Sequence, residues 1–220
     1  MRNKSWLPAA VGALVSVVVP MSSAWAANLV VNGDFSAGNT GFTSDYSYSP
    51  AAYGNNGDYY VLADYNGFKD HTTGSGNFLL GDGASNPNER VWAETISTVA
   101  GAAYTFSYFH TEFNGGPNAV LAFYLDGVQT GTPVAPTNGA WNLFFVSFNS
   151  GTATSHTLAI VDQTLGYSYN DFGIDDIALR GPAVPGVPEP ASWAIMLVGL
   201  GAVGAAMRRR QSVGGASAQA

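Results

Sequence analysis

The chain has no cysteine, so its core has to supply the stability that small exported domains often draw from disulfides. Charge is scarce too, with Asp, Glu, Lys and Arg making up only 10% of the 220 residues. Basic residues are the scarcest, and five of the eight (Arg2, Lys4, Arg208, Arg209, Arg210) sit at the two ends. Between Asn28 and Gly181, three basic residues (Lys69, Arg90, Arg180) stand against fourteen acidic ones, a net charge of −11. That field repels a phosphate backbone and argues against nucleic acid as a partner. Runs of Glu, Lys, Leu and Ala at helical spacing are missing between the ends, which argues against a bundle. The motifs of several chemistries are missing as well. There is no Gly-x-Ser-x-Gly elbow, and Gly74-Ser75-Gly76 lacks the spacing and the lysine of a phosphate loop.

What the chain does have is Gly, Ser, Thr, Asn and aromatic residues, the composition of short strands joined by many turns. Apolar runs fall at 29–31, 59–63, 78–80, 90–99, 103–110, 119–125, 141–148, 156–161 and 172–179, each closing near Gly, Asn or Pro. Eight or nine strands at this spacing predict an all-β, antiparallel β-sandwich over residues 27–181. The first run is read as a strand followed by a turn at Asn32-Gly33-Asp34, and Asp126-Gly127 as a tight hairpin turn. Residues 36–76 are polar and Gly-, Asn- and Tyr-rich, and are read mainly as loops on one rim. Trp92, Trp141, Tyr104 and Phe106 lie in strand patterns and are expected in the core.

The two ends carry addresses. Arg2 and Lys4 precede an apolar run at 7–19, and Ala24 and Ala26 give the small-x-small pattern read by signal peptidase. Residues 1–26 are therefore expected to be a removable signal peptide; an uncleaved membrane helix is the competing reading. At the other end, a Pro-rich linker at 182–190 contains Pro188, Glu189 and Pro190. It leads into a seventeen-residue, largely apolar stretch at 191–207, then Arg208, Arg209, Arg210 and a tail to 220. As a helix, 191–207 spans roughly 25 Å, short for a bilayer but workable where arginines snorkel. Arginines on the cytoplasmic side leave the domain outside.

This order of motif, apolar helix and basic cluster resembles the PEP-CTERM sorting signal. The resemblance implies a substrate of exosortase in a Gram-negative bacterium that makes exopolysaccharide. It implies a transient inner-membrane anchor, then a place on the cell surface or in the extracellular matrix. The opening 28–35 and closing 170–177 segments are similar to the first and last strands of galactose-binding-like jelly rolls, including carbohydrate-binding modules. The segments 70–77, 91–96 and 101–106 resemble exported PEP-CTERM proteins.

That jelly-roll resemblance implies a structural Ca²⁺ held by Asn32, Asp34, Asp175 and Asp176, although Ser36 stands where such modules commonly place an acidic residue. The other reading of these four is ordinary turn and strand-end hydrogen bonding. Tyr46, Tyr48, Tyr53, Tyr65, Tyr167 and Tyr169 fall in predicted loops, where rings can stack on sugars or simply pack the loop. His110-Thr111-Glu112 is a fragment of a metal or acid-base site without its partners, and Asp175 and Asp176, alternating on a strand, are not expected to face one bond. The reading is a non-enzymatic exopolysaccharide-associated module, with a ligand-free matrix protein or a polysaccharide-processing enzyme as alternatives.

Overall fold

The computed structural model of the protein describes residues 28–50, 55–113, 115, 119–165 and 170–182. The expected signal peptide, sorting motif and apolar helix lie outside these residues. Ten strands follow in order: β1 (Ser47–Tyr48), β2 (Asp58–Leu62), β3 (Phe78–Asp82), β4 (Glu89–Ser97), β5 (Ala103–Glu112), β6 (Leu121–Leu125), β7 (Val128–Gln129), β8 (Asn142–Asn149), β9 (Ser155–Asp162) and β10 (Asp171–Arg180). They form a six-stranded sheet, β1-β2-β3-β10-β5-β8, packed on a four-stranded sheet, β4-β9-β6-β7. Every strand pair is antiparallel except the two-residue contact of β1 with β2. The predicted all-β sandwich is the fold.

Alternation explains the core. Along β5, Tyr104, Phe106 and Tyr108 point between the sheets and meet Trp92, Phe123, Leu158 and Ile160 from the opposite one. Phe106 and Phe123 stack with centroids 4.3 Å apart. The hairpin turn is where the sequence places it, with Asp126 and Gly127 at φ of 52° and 80° joining β6 to β7.

The opening segment departs from expectation. Residues 28–35 form a turn rather than a strand, with Asn32 and Phe35 both at positive φ. The turn still docks along β10, because Asn28 uses its side-chain amide as a backbone would. Its Nδ2 donates to Ile177 O at 2.9 Å, and its Oδ1 accepts from Leu179 N at 2.9 Å. Gly33 then comes so close that a Cβ would lie 2.0 Å from Ile177 O, which lets Ile177 N donate to Gly33 O at 2.8 Å.

The long polar stretch also departs from a simple rim. Tyr60, Phe78 and Leu80 point away from the sandwich core and are covered by Tyr65, Phe68 and Phe113, with Trp141 at their margin. The six-stranded sheet is therefore apolar on both faces over β2 and β3, and segment 63–77 is its second cover. Trp92, Tyr104 and Phe106 belong to the inter-sheet core, whereas Trp141 belongs to this outer cluster.

Phe106→Ala is expected to destabilise the fold by about 3–5 kcal/mol, the usual loss for a buried phenylalanine. Val128→Ala, at a site 67% exposed, should stay within about 0.5 kcal/mol. Denaturant unfolding of the two variants checks both values.

Candidate functional site

β10 carries one residue too many. Its pairing with β5 runs from Phe172 to Asp175 opposite Glu112 to Phe109, then resumes at Ala178 opposite Ser107. Asp176 absorbs the extra residue at a φ of 49°. Ile174 and Ile177 both remain in the inter-sheet core, and both neighbouring aspartates meet the same residue outside it. Asp175 Oδ2 accepts the backbone N–H of His71 at 2.8 Å, while Asp176 Oδ2 lies 2.7 Å from His71 Nδ1 and also accepts from the Thr72 hydroxyl. The expectation that adjacent carboxylates must diverge is corrected here, because a bulge breaks the two-residue period.

His71 is thereby fixed on the sheet, its ring stacked on Phe109 at 3.5 Å between centroids. The loop behind it is held by Asp70, which accepts from Thr73 N at 2.7 Å, the Thr73 hydroxyl at 2.8 Å and Gly76 N at 2.9 Å. Burial, with the charges of Asp176 and Asp70 adding to it, pushes the Asp175 carboxyl up to about 7.

Between this latched loop and the opening turn lies a groove of about 610 Å³ on the outer face of the six-stranded sheet. Ser107, Phe109, Leu143 and Ala178 make its floor, with Asn32, Asp34, Thr72 and Asp176 on its walls and Arg180 at one end. The groove combines apolar surface, hydroxyls and charges of both signs, the kind of lining that orients a polar ligand.

The predicted site residues are distributed unevenly over this geometry. Asn32, Asp34 and Asp176 do converge on the groove. Their side chains are engaged within the protein. Asn32 Oδ1 accepts from Ala37 N at 2.8 Å and its Nδ2 ties down Gly38 O and Thr40 O. Both oxygens of Asp175 accept backbone N–H groups, Asp34 Oδ1 accepts from Ser36, and among the described residues no three acidic or His side chains cluster as metal ligands.

Of the tyrosines, Tyr53, Tyr167 and Tyr169 lie outside the described residues. Tyr46 lies in the bend before β1, as a loop residue, but its ring is 5% exposed and packed in the inter-sheet core beside Asp162, so it takes the packing role rather than an exposed one. Burial and the Asp162 charge raise its phenol well above the usual range. Tyr65 donates to Asp171 Oδ2 at 3.2 Å under segment 63–77, and Tyr48 is exposed on β1, away from the groove lining. Sequence reasoning missed Phe109, Ser107, Leu143 and Arg180. Their only signal was outward parity on β5, β8 and β10.

The histidines have separate surroundings. His110 is buried with Nδ1 unpartnered, and burial pushes it down to about 4. Glu112, fully buried, accepts from Gly115 N at 2.5 Å. His156 lies between Asp126 Oδ2 at 2.6 Å and Ser150 O at 3.2 Å.

Comparison with known proteins decides how the chain is handled in the cell. Residues 186–210 match the PEP-CTERM protein-sorting motif. The match covers the expected Pro-Glu-Pro and arginine positions and marks an exported protein sorted to the surface. No match was found among curated proteins. Among solved structures, the N-terminal CBM22-1–CBM22-2 tandem domain of Xyn10C from Paenibacillus barcinonensis is 16% identical with a TM-score of 0.53, over 74% of this chain and 49% of that one. A cyclase from Fischerella sp. TAU is 12% identical with a TM-score of 0.51, over 70% and 96%. The MgGH51 α-L-arabinofuranosidase is 15% identical with a TM-score of 0.50, over 73% and 27%. These likenesses establish the jelly-roll fold, which binding modules and enzymes share, and function has to be argued from the residues.

The buried acids set a pH profile. Burial raises Asp162 to about 6 and Glu94 to about 7, as it does Asp175, while unfolded carboxylates titrate near about 4. Between about pH 4 and 7 the folded chain holds more protons, so stability falls as pH rises through that window. His110 works the other way, one group against three. Below about pH 4 stability is lost again, as Asp45, held low by Arg90, and Asp70, held low against its burial by Thr73 and Gly76, take up protons. The melting temperature is expected to peak near about pH 4, dropping on the acid side and declining on the other toward about pH 8, with Asp175→Asn flattening that decline. Thermal scans across that range check this.

Proposed function

We propose that the protein is a non-catalytic module displayed at the surface of a Gram-negative bacterium, where it binds exopolysaccharide in the groove over β5, β8 and β10. The groove carries the proposal. Phe109 and Leu143 offer apolar surface to a sugar face, and Ser107, Thr72, Asp34, Asp176 and Arg180 offer donors and acceptors to its hydroxyls. The sorting motif supports delivery to the place where such a polymer is found. On this reading exosortase releases the tail near Pro188 after signal peptidase has acted after Ala26, so the membrane anchor is transient.

A non-catalytic role is supported by the state of the histidines. His71 is engaged by Asp176, His156 lies between two acceptors, and His110 is buried. The Thr72 hydroxyl lies 3.4 Å from His71 Nδ1 but donates to Asp176 Oδ2, so its proton is not directed to the imidazole as nucleophilic catalysis by such a pair requires. Structural display without a ligand is the alternative, and the same experiment separates the two.

The purified protein is expected to be retained on the host's own polysaccharide, equally with and without Ca²⁺. Phe109→Ala and Leu143→Asp should each weaken retention roughly tenfold, the scale of about 1.4 kcal/mol from a lost stacking or apolar contact. Full retention by both variants, or no retention of the native chain, defeats the binding reading. Mass spectrometry of the mature protein, read with its cell fraction, is expected to show a new N-terminus at Ala27 and loss of the apolar tail.

A further inference from the structure

The two sheets have four edges, and three of them are blunted. β1 and β7 are two residues long. β4 is bridged: Thr43 and Ala93 exchange backbone hydrogen bonds at 2.9 and 2.8 Å, and Asp45 N donates to Arg90 O at 2.9 Å. The Asp45 carboxylate also grips the Arg90 guanidinium at 2.8 and 2.6 Å. Short, bridged or charged edges are how sheet proteins refuse an additional strand.

β8 has none of these devices. It is eight residues long and pairs with β5 without interruption from Asn142 opposite His110 to Asn149 opposite Ala103. Its sequence, Asn-Leu-Phe-Phe-Val-Ser-Phe-Asn, contains no charge and no proline. Among the described residues, its backbone pairs with no backbone other than that of β5. On its outer face Leu143 is 52% and Phe145 67% exposed.

We propose that β8 is a self-association edge, where two copies of this chain pair β8 to β8 in antiparallel fashion about a two-fold axis and join two six-stranded sheets into one. Three observations select a second copy as the occupant. The domain's charge of −11 disfavours contact between copies except along a surface without charge, and β8 is such a surface. The chain's own continuation is a poor edge strand, because Pro182, Pro185, Pro188 and Pro190 lack the N–H groups that a ladder needs. A two-fold pair also matches twist and side-chain pattern by symmetry. With Phe145 opposite Phe145, Leu143 falls opposite Ser147, so both exposed apolar side chains gain neighbours. One strand edge is smaller than the roughly 1,600 Å² of a standard interface. Association is therefore concentration-dependent, and delivery of many copies to one surface favours it.

The lack of native cysteine gives a direct test on the full-length chain in detergent. Phe145→Cys places two thiols across the axis at the separation of opposed antiparallel residues, within disulfide reach. Oxidation is expected to yield a disulfide-linked dimer, whereas Val128→Cys, equally exposed on β7, remains monomeric. In the chain without introduced cysteine, sedimentation should show concentration-dependent dimers, weakened roughly tenfold or more by Phe145→Lys. That variant should keep its melting temperature and its retention on polysaccharide, since Phe145 is outside the groove lining. A chain monomeric at every concentration, equal cross-linking of both cysteine variants, or unchanged dimers in the lysine variant overturns the proposal.

Discussion

The outer face of the six-stranded sheet is organised by the extra residue that β10 carries between Asp175 and Ala178. Without it, one of Ile174 and Ile177 would leave the inter-sheet core, and one aspartate would enter it uncompensated. With it, both isoleucines stay inside and both carboxylates serve His71. The same local break leaves Ile177 with a backbone N–H turned to Gly33 rather than to β5. Two separate segments, the 63–77 loop and the opening turn, are thus docked on consecutive residues of one strand, and the groove is the space they leave between them.

That arrangement concentrates acids in places where water is scarce. Asp175 sits under the loop and Asp162 under the turns that follow β3 and β9, accepting from Ala84 N, Val120 N and Thr164 N. Each satisfies backbone donors that would otherwise be buried without partners, which costs more than the desolvation of one shared acceptor. The molecule exchanges ideal behaviour at neutral pH for well-pinned loops, and stability rather than chemistry is what these perturbed acids report.

Much of this was legible beforehand. The strand runs, the Asp126-Gly127 turn, the inter-sheet core and the sorting tail follow from alternation, turn chemistry and the order of motifs at the C-terminus. The bulge was legible in principle, since the apolar residues of β10 fall at 172, 174, 177 and 179, and a gap of three among gaps of two marks an inserted residue. The loop that covers the second face had a signal as well, because 59–62 and 78–80 are apolar at consecutive rather than alternate positions, as strands covered on both sides are. Tyr46 had none. Its neighbour Asp162 lies far along the sequence, and nothing local separates a tyrosine that dives into the core from one that stays wet. The groove was illegible for the same reason, being an intersection of three strands and two loops remote from each other in the chain.

β10 lies between β3 and β5, and it is the strand that continues into the sorted C-terminal segment. A pull applied to that segment is therefore delivered to the end of a central strand. Rupture along that strand has to break the hydrogen bonds to both neighbours together instead of peeling them singly. The C-terminal segment leaves the domain from a strand that is clamped on both sides.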